Sequence, residues 1–159
     1  MKFFPPALLA LLTIISCNSE TKISPDKPIS DPLVGTWRLL DGTLVEKGDT
    51  VVTDYTRRLS CIKIITPTHF SFLQHDLTKG ADSAVFVAGG GRYSLKDGLY
   101  TEHLEYCSAR AWEGHDFSFT MTFNADTLIQ RGLEKIEAQG IDRLNIERYV
   151  KVTGEPTRP

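Results

Sequence analysis

Apolar and polar residues alternate in short runs along residues 33–152, and this period of two is typical of half-buried β-strands. The clearest run is residues 117–124, in which phenylalanine or methionine alternates with serine or threonine. The pattern predicts about eight strands, at residues 33–40, 58–66, 68–74, 84–95, 99–107, 117–124, 127–132 and 144–152. Residues 41–56 are predicted as a loop, and residues 108–116 and 134–139 as loops or short helical turns. The sequence therefore predicts an all-β domain.

The hairpin of residues 84–107 is the most informative stretch. Asp97-Gly98 stands between its two alternating runs, and Asp-Gly in that position is a strong hairpin signal. Three consecutive glycines, residues 89–91, lie on the first strand, where glycine is unfavourable unless the strand bends or two backbones approach closely. The period of two places four residues of the second strand on one face: Tyr100, Glu102, Leu104 and Tyr106.

Eight antiparallel strands with short connections are predicted to close into an up-and-down β-barrel, because closure removes the exposed strand edges. The interior of an eight-stranded barrel holds side chains or one small ligand. The face of the hairpin that carries Glu102 is predicted to line this interior. A β-sandwich is the alternative architecture.

The N-terminal residues indicate export. Lys2 is followed by an apolar run, residues 3–15, which is shorter than the ~20 residues that a membrane-spanning helix needs. The run ends in Ile14-Ile15-Ser16-Cys17, which resembles the lipobox of bacterial lipoproteins. The resemblance implies that residues 1–16 are removed and that Cys17 becomes an acylated N-terminus held in the bilayer. Because Asn18 follows rather than Asp, it also implies sorting to the outer membrane. The other interpretation is an ordinary secretory signal, with Cys17 incidental.

The segments that flank the domain are polar. Residues 18–32 hold three prolines and almost no apolar residue, which predicts an extended tether after Cys17. Residues 153–159 are predicted as a frayed tail. The domain itself is therefore predicted at residues 33–152.

Composition and residue spacing argue against several classes of function. The formal net charge is −2 and there is no basic stripe, so nucleic acid is not a predicted partner. Metal-binding spacings are absent, and His103 and Glu102 are sequence neighbours that point to opposite faces of a strand, so we predict no metal or other cofactor. Cys61 and Cys107 fall on strands that are not neighbours, which predicts free thiols.

Five short segments carry a family resemblance. Gly35-Thr36-Trp37 resembles the Gly-x-Trp signature of lipocalins and fatty-acid-binding proteins. Four further segments, ITPTHFSF, AGGGRYSL, YTEHLEYCS and IERYVKV, are similar to a lipocalin-like family of small secreted and lipid-anchored bacterial proteins, common in Bacteroidetes and largely of unknown function. In lipocalins a basic residue of the last strand packs over the tryptophan, which implies that role for Arg148 or Lys151. Tyr149 departs from the pattern, because the family tends to have tryptophan there.

The predicted interior residues are the candidates for ligand contact. An inward Glu102 needs a cation or hydrogen-bond donors, because an unpaired buried carboxylate is costly. Its candidate partners are Lys63, Arg148, Tyr93 and Tyr100. The pattern does not decide whether the last strand turns Arg148 inward or Glu147 and Tyr149. The predicted ligand-binding residues are therefore Trp37, Lys63, Phe70, Tyr93, Tyr100, Glu102, Tyr106, Arg148 and Tyr149.

Three functions follow as hypotheses. The first is a membrane-anchored lipocalin-like protein that holds a small, partly apolar ligand inside the barrel. The second is an envelope structural or interaction module with a solid core, whose loops would carry the function. The third is an enzyme in which Glu102 and a tyrosine act as an acid–base pair, a role that requires geometry the sequence does not supply.

Overall fold

The computed structural model describes Met1 and residues 31–154. The predicted signal segment, the predicted acylation site Cys17 and most of the predicted tether and tail lie outside the described residues. The described chain is all-β, as predicted. Its strands are β1 (Gly35–Glu46), β2 (Asp49–Asp54), β3 (Leu59–Ile65), β4 (His69–Asp76), β5 (Phe86–Lys96), β6 (Leu99–Cys107), β7 (Asp116–Asn124), β8 (Thr127–Ile136) and β9 (Ile141–Lys151). Two 3₁₀ turns, Arg110–Trp112 and Glu137–Gln139, fall in the two regions predicted as loops or helical turns.

Eight strands close into an antiparallel barrel, which confirms the predicted architecture. Strands β3 to β9 pair in sequence order, and β1 pairs with both β3 and β9, so the sheet returns on itself. Strand β2 forms a hairpin with the second half of β1 and adds a ninth strand beside the barrel. Among the described residues, we find no helix with the length and apolar character needed to cross a membrane.

The prediction of a loop at residues 41–56 is wrong. This segment forms the second half of β1 and the whole of β2, joined by Lys47-Gly48 with Glu46 opposite Asp49. Both turn residues have positive φ angles, 51° and 89°, as a two-residue hairpin turn requires. Lys-Gly is a weaker turn signal than Asp-Gly, and polar residues surround the short apolar runs, so the pattern did not reveal the hairpin.

The three glycines allow close backbone contact, as predicted. A Cβ atom on Gly91 would lie 2.0 Å from the His103 carbonyl oxygen, and one on Gly90 would lie 2.6 Å from the Phe70 oxygen. The pairing of β5 with β6 shifts between these two glycines, so that one extra residue, Glu105, is accommodated as a β-bulge. The glycines therefore bend the barrel wall where two neighbouring strands leave no room for side chains.

The bulge reverses the side-chain alternation at the end of β6. Tyr106 is 70% exposed and lies on the outer face, whereas the sequence pattern predicted that it shares the inward face of Tyr100 and Glu102. That prediction is wrong because the period of two holds only through Leu104. Cys107 points inward instead and lines the barrel interior.

The register of β9 decides which face of the last strand is buried. Tyr149 and Glu147 point inward, and Arg148 lies on the outer face, where it pairs with Asp41 of β1. Of the two alternatives that the pattern left open, the structure has Glu147 and Tyr149 inward, so Arg148 is not an interior residue. The more apolar face of β9 lies on the outside of the barrel, where its residues stand beside those of β1 and β8.

One end of the barrel is closed by the start of the domain. The indole nitrogen of Trp37 donates to the Leu33 carbonyl oxygen at 2.8 Å, and both side chains are buried. Lys151 lies over the Trp37 ring, with its ammonium 5.0 Å from the ring centre, and donates to the Pro32 carbonyl oxygen. Of the two basic residues implied by the lipocalin resemblance, Lys151 occupies the position over the tryptophan.

Candidate functional site

The opposite end of the barrel contains a cavity of about 360 Å³. Its volume lies near the lower end of the range for small-molecule pockets, roughly 300–1,000 Å³. Its wall is largely apolar, built from inward side chains of five strands and the first 3₁₀ turn: Leu39, Leu44, Phe72, Val87, Leu104, Trp112, Phe117 and Phe119. The mouth lies where β4 ends and β5 begins, away from the end that Trp37 closes.

A buried ion pair forms the floor of the cavity. The Lys63 ammonium lies 2.5 Å from Glu102 Oε1 and donates to Gln130 Oε1 at 2.8 Å. The side chains of Lys63 and Glu102 are only 3% and 8% exposed. Strands β3, β6 and β8 each supply one of these residues, so closure of the barrel brings them together.

Aromatic rings surround the Lys63 ammonium. Four ring centres lie 5.5–6.0 Å from Lys63 Nζ, those of Phe70, Tyr100, Phe119 and Tyr149. Ring faces attract cations, so this cage compensates part of the solvation that the ammonium loses on burial. The sequence predicted Glu102 on an inward face and Lys63 among its partners, and the structure supports both.

Two buried oxygen atoms, one at the floor and one beyond it, have no hydrogen-bond partner among the described residues. Glu102 Oε1 is close enough to Lys63 for an ion pair, but the angles are not those of a hydrogen bond, and the Tyr100 hydroxyl also has no partner. Burial, followed by the nearby charge of Glu102, raises the pKa of Tyr100, so its phenol stays protonated. Lys63 therefore balances the charge of Glu102, but Glu102 Oε1 makes no hydrogen bond with the described residues.

Glu147 is the second carboxylate on the inner wall beside the floor. One of its oxygens accepts a hydrogen bond from the Tyr149 hydroxyl at 2.9 Å. Burial, followed by the charge of Glu147, raises the pKa of Tyr149 and that of Tyr55. The same two causes raise the pKa of the Cys61 thiol to about 12. Cys61 and Cys107 are both free thiols that line the cavity.

A second ion pair lies nearer the mouth. Arg143 of β9 donates to Glu134 of β8 at 2.7 Å, and the Asn145 amide donates to the other Glu134 oxygen at 2.8 Å. The Arg143 guanidinium also lies 5.1 Å from the centre of the Trp112 ring. This arrangement holds the 3₁₀ turn against the barrel rim.

The structure separates the predicted site residues into three groups. Lys63, Glu102 and Tyr149 line the cavity. Trp37, Phe70, Tyr93 and Tyr100 lie beyond its floor toward the closed end, where the Tyr93 and Tyr100 ring centres are 5.0 Å apart. Tyr106 and Arg148 lie on the outer surface and cannot contact a ligand in the cavity.

Sequence reasoning missed four polar residues of the inner wall, Gln130, Glu134, Arg143 and Asn145. Strand β8 was predicted to end at Gly132, but it continues to Ile136, and the alternation of Leu128, Gln130 and Glu134 runs through the glycine. Glu134 stands directly opposite Arg143. An opposite-charge pair on facing strands is the signal that could have revealed this extension.

The described residues hold no group of three or more histidine, cysteine or acidic side chains arranged to bind a metal ion. A scan of the sequence against protein-family models gave no match, and a search of curated proteins found no similar sequence. The cavity and its charged floor are therefore the observations on which a function is proposed.

Proposed function

We propose that this protein is a membrane-anchored lipocalin-like binding protein that holds a small, partly apolar ligand in the barrel interior. The observation that carries the proposal is the cavity of about 360 Å³, which combines an apolar wall with charged groups at its floor. This combination is typical of small-molecule pockets, in which apolar side chains supply contact area and a few polar groups orient the ligand.

The start of the domain and the cavity lie at opposite ends of the barrel. The chain enters the barrel at the closed end, beside Trp37 and Lys151, and the cavity opens at the other end. The proposed anchor rests on the resemblance of residues 14–17 to a lipobox. Several acyl carbons at about 0.8 kcal/mol each would hold such an anchor in the outer membrane.

A titration with the neutral fluorophore N-phenyl-1-naphthylamine tests the binding function. We expect saturable fluorescence enhancement with one site per protein, because the apolar wall shields the dye from water. Val87→Trp, which adds an indole inside the cavity wall, should abolish the enhancement. Phe86→Trp is the matched control, since Phe86 is the neighbouring residue of β5 and is 68% exposed on the outer face. Equal enhancement in both variants would contradict binding inside the barrel.

The solid-core interaction module is a second candidate function. The outer faces of β4, β5 and β6 carry Leu73, Phe86 and Tyr106 with large exposed fractions, and exposed apolar side chains on one surface favour protein contacts. Under this alternative Val87→Trp leaves function intact, while a Phe86→Ser and Tyr106→Ser double variant removes it. The cavity favours the binding hypothesis.

An acid–base role for Glu102 has less support. Tyr100, the tyrosine beside it, is fully buried beyond the cavity floor, and burial raises its pKa. A substrate in the cavity would therefore reach Glu102 without reaching the Tyr100 hydroxyl. The binding hypothesis is therefore favoured over an acid–base role for this pair.

A further inference from the structure

The charged residues of the cavity do not balance. Five charged side chains line it, two cations and three carboxylates: Lys63, Arg143, Glu102, Glu134 and Glu147. Lys63 pairs with Glu102, and Arg143 pairs with Glu134. Glu147 is left without a cation within ion-pair distance among the described residues. The lining of the cavity therefore carries one formal negative charge that no cation of the lining compensates.

Glu147 is positioned to receive a ligand group. It lies on the inner face of β9 between Gly42 of β1 and Gln130 of β8. Gly42 has no side chain to cover it, and the nearest atom to a Cβ at that position belongs to the Tyr55 ring, at 3.3 Å. Only Oε2 of Glu147 accepts a hydrogen bond from the described residues, which leaves Oε1 available to the cavity.

The other charged groups are less suited to bind an ionic ligand. The Lys63 ammonium is already held by Glu102 and Gln130, and the ring faces around it offer no place for an anion. Arg143 is held by Glu134 and packed on Trp112. A ligand carboxylate would also approach the unpaired Glu147. The geometry is unfavourable to an anionic ligand.

We propose that the polar group of the ligand is a monovalent cation, a protonated amine on a small apolar body, and that Glu147 binds it. This inference rests on the proposed binding function. An ammonium would supply the missing charge and donate to Glu147 Oε1, while the apolar body would contact the wall formed by residues such as Phe72 and Leu104. Charge-assisted hydrogen bonds of this kind are stronger than neutral ones.

Three probes with the same eight-carbon chain test the inference at pH 7: n-octylamine, n-octanol and n-octanoate, each titrated calorimetrically into the full-length protein. We expect n-octylamine to bind about tenfold or more tightly than n-octanol, the ratio that about 1.4 kcal/mol gives, and n-octanoate to bind most weakly. Equal or tighter binding of n-octanol or n-octanoate would overturn the inference and leave the binding function standing. Failure of all three to bind would overturn both.

The Glu147→Gln variant tests whether Glu147 causes the preference for n-octylamine over n-octanol. Glu147→Gln keeps the side-chain shape and removes the charge, so n-octylamine and n-octanol should bind with affinities within about twofold of each other. Glu137→Gln is the matched control, because that side chain is 84% exposed on the outside, and it should retain the amine preference. Retention of the preference by Glu147→Gln would contradict the assignment. If Glu147→Gln does not fold by circular dichroism, the ranking of the probes on the native protein decides the inference.

Discussion

At the scale of single residues, the stability of the barrel interior depends on the ion pair in which Lys63 and Glu102 compensate each other's charge. The alternation of β6 predicted that Glu102 points inward, and the cost of an unpaired carboxylate predicted that it has a partner. The choice of Lys63 over Arg148 could not be predicted, because it depends on the register of β3 and β9 in the closed barrel. The inward position of Glu147 could be predicted only as one of two alternatives, because it also depends on the register of β9.

The ion pair predicts strong non-additivity between two substitutions. Lys63→Met leaves Glu102 buried without its cation and should lower the free energy of unfolding by about 3–5 kcal/mol. Adding Glu102→Leu removes the orphaned charge, so the double variant should be more stable than Lys63→Met alone. Urea denaturation followed by circular dichroism measures all three proteins.

A surface pair provides the control. Arg92 and Glu105 form an ion pair on the outside, in which Arg92 is 69% exposed, and Arg92→Met should cost about 1 kcal/mol or less. If Lys63→Met lowers the free energy of unfolding no more than Arg92→Met does, Lys63 does not compensate a buried charge on Glu102.

At the scale of elements, local sequence signals predicted most strands, and the exceptions have physical causes. The Asp97-Gly98 hairpin was predicted correctly, with φ angles of 53° and 79° at its turn. The β-bulge at Glu105 was not predicted, since a single extra residue leaves no mark in the polarity pattern. Because the bulge was missed, Tyr106 was wrongly predicted on the inward face of β6. The glycines that permit the bulge were predicted to serve a bend or close backbone contact.

Gly91 is predicted to tolerate no side chain. Gly91→Ala would place a methyl group against the His103 carbonyl, and overpacking of this kind typically lowers the free energy of unfolding by about 1–3 kcal/mol. Gly154→Ala is the control, because nothing lies within 4 Å of its Cβ position. Thermal unfolding should separate the two variants by several degrees. Equal melting temperatures would contradict the close strand contact at the bulge.

Asp76 at the end of β4 organises the loop to β5 and predicts acid sensitivity. Its carboxylate accepts hydrogen bonds from the backbone amides of Gly80 and Val85 and from the Thr78 hydroxyl. The amide of Val85, then that of Gly80 and the Thr78 hydroxyl, lower the pKa of Asp76 from 3.8 to about 2. Since the folded pKa lies below the unfolded one, the stabilisation is present above about pH 4 and is lost as the pH falls toward about 2.

The Asp76→Asn variant isolates this effect. Its urea midpoint should fall less between about pH 4 and pH 2 than that of the native protein, because it has no carboxylate to protonate there. Asp97→Asn, at the exposed hairpin turn, is the control and should follow the native pH dependence. An Asp76→Asn profile that parallels the native one would contradict the predicted role of the Asp76 carboxylate.

At the scale of the whole molecule, barrel closure could be predicted, but the cavity could not. Closure follows from eight antiparallel strands whose edges must be paired. Whether the interior is solid depends on where each inward ring lies, and the polarity pattern holds no such information. In the structure, Trp37, Phe70 and Tyr100 fill the closed end, while the wall around Val87 and Leu104 leaves space at the other.

A crystal structure of the purified protein soaked with N-phenyl-1-naphthylamine tests most directly whether the barrel interior binds a ligand. We expect electron density for the dye inside the barrel, between Trp112 at the mouth and the Lys63–Glu102 pair at the floor. Side chains such as Phe72 and Phe117 packed across the interior, with the dye absent or bound only outside, would contradict this expectation.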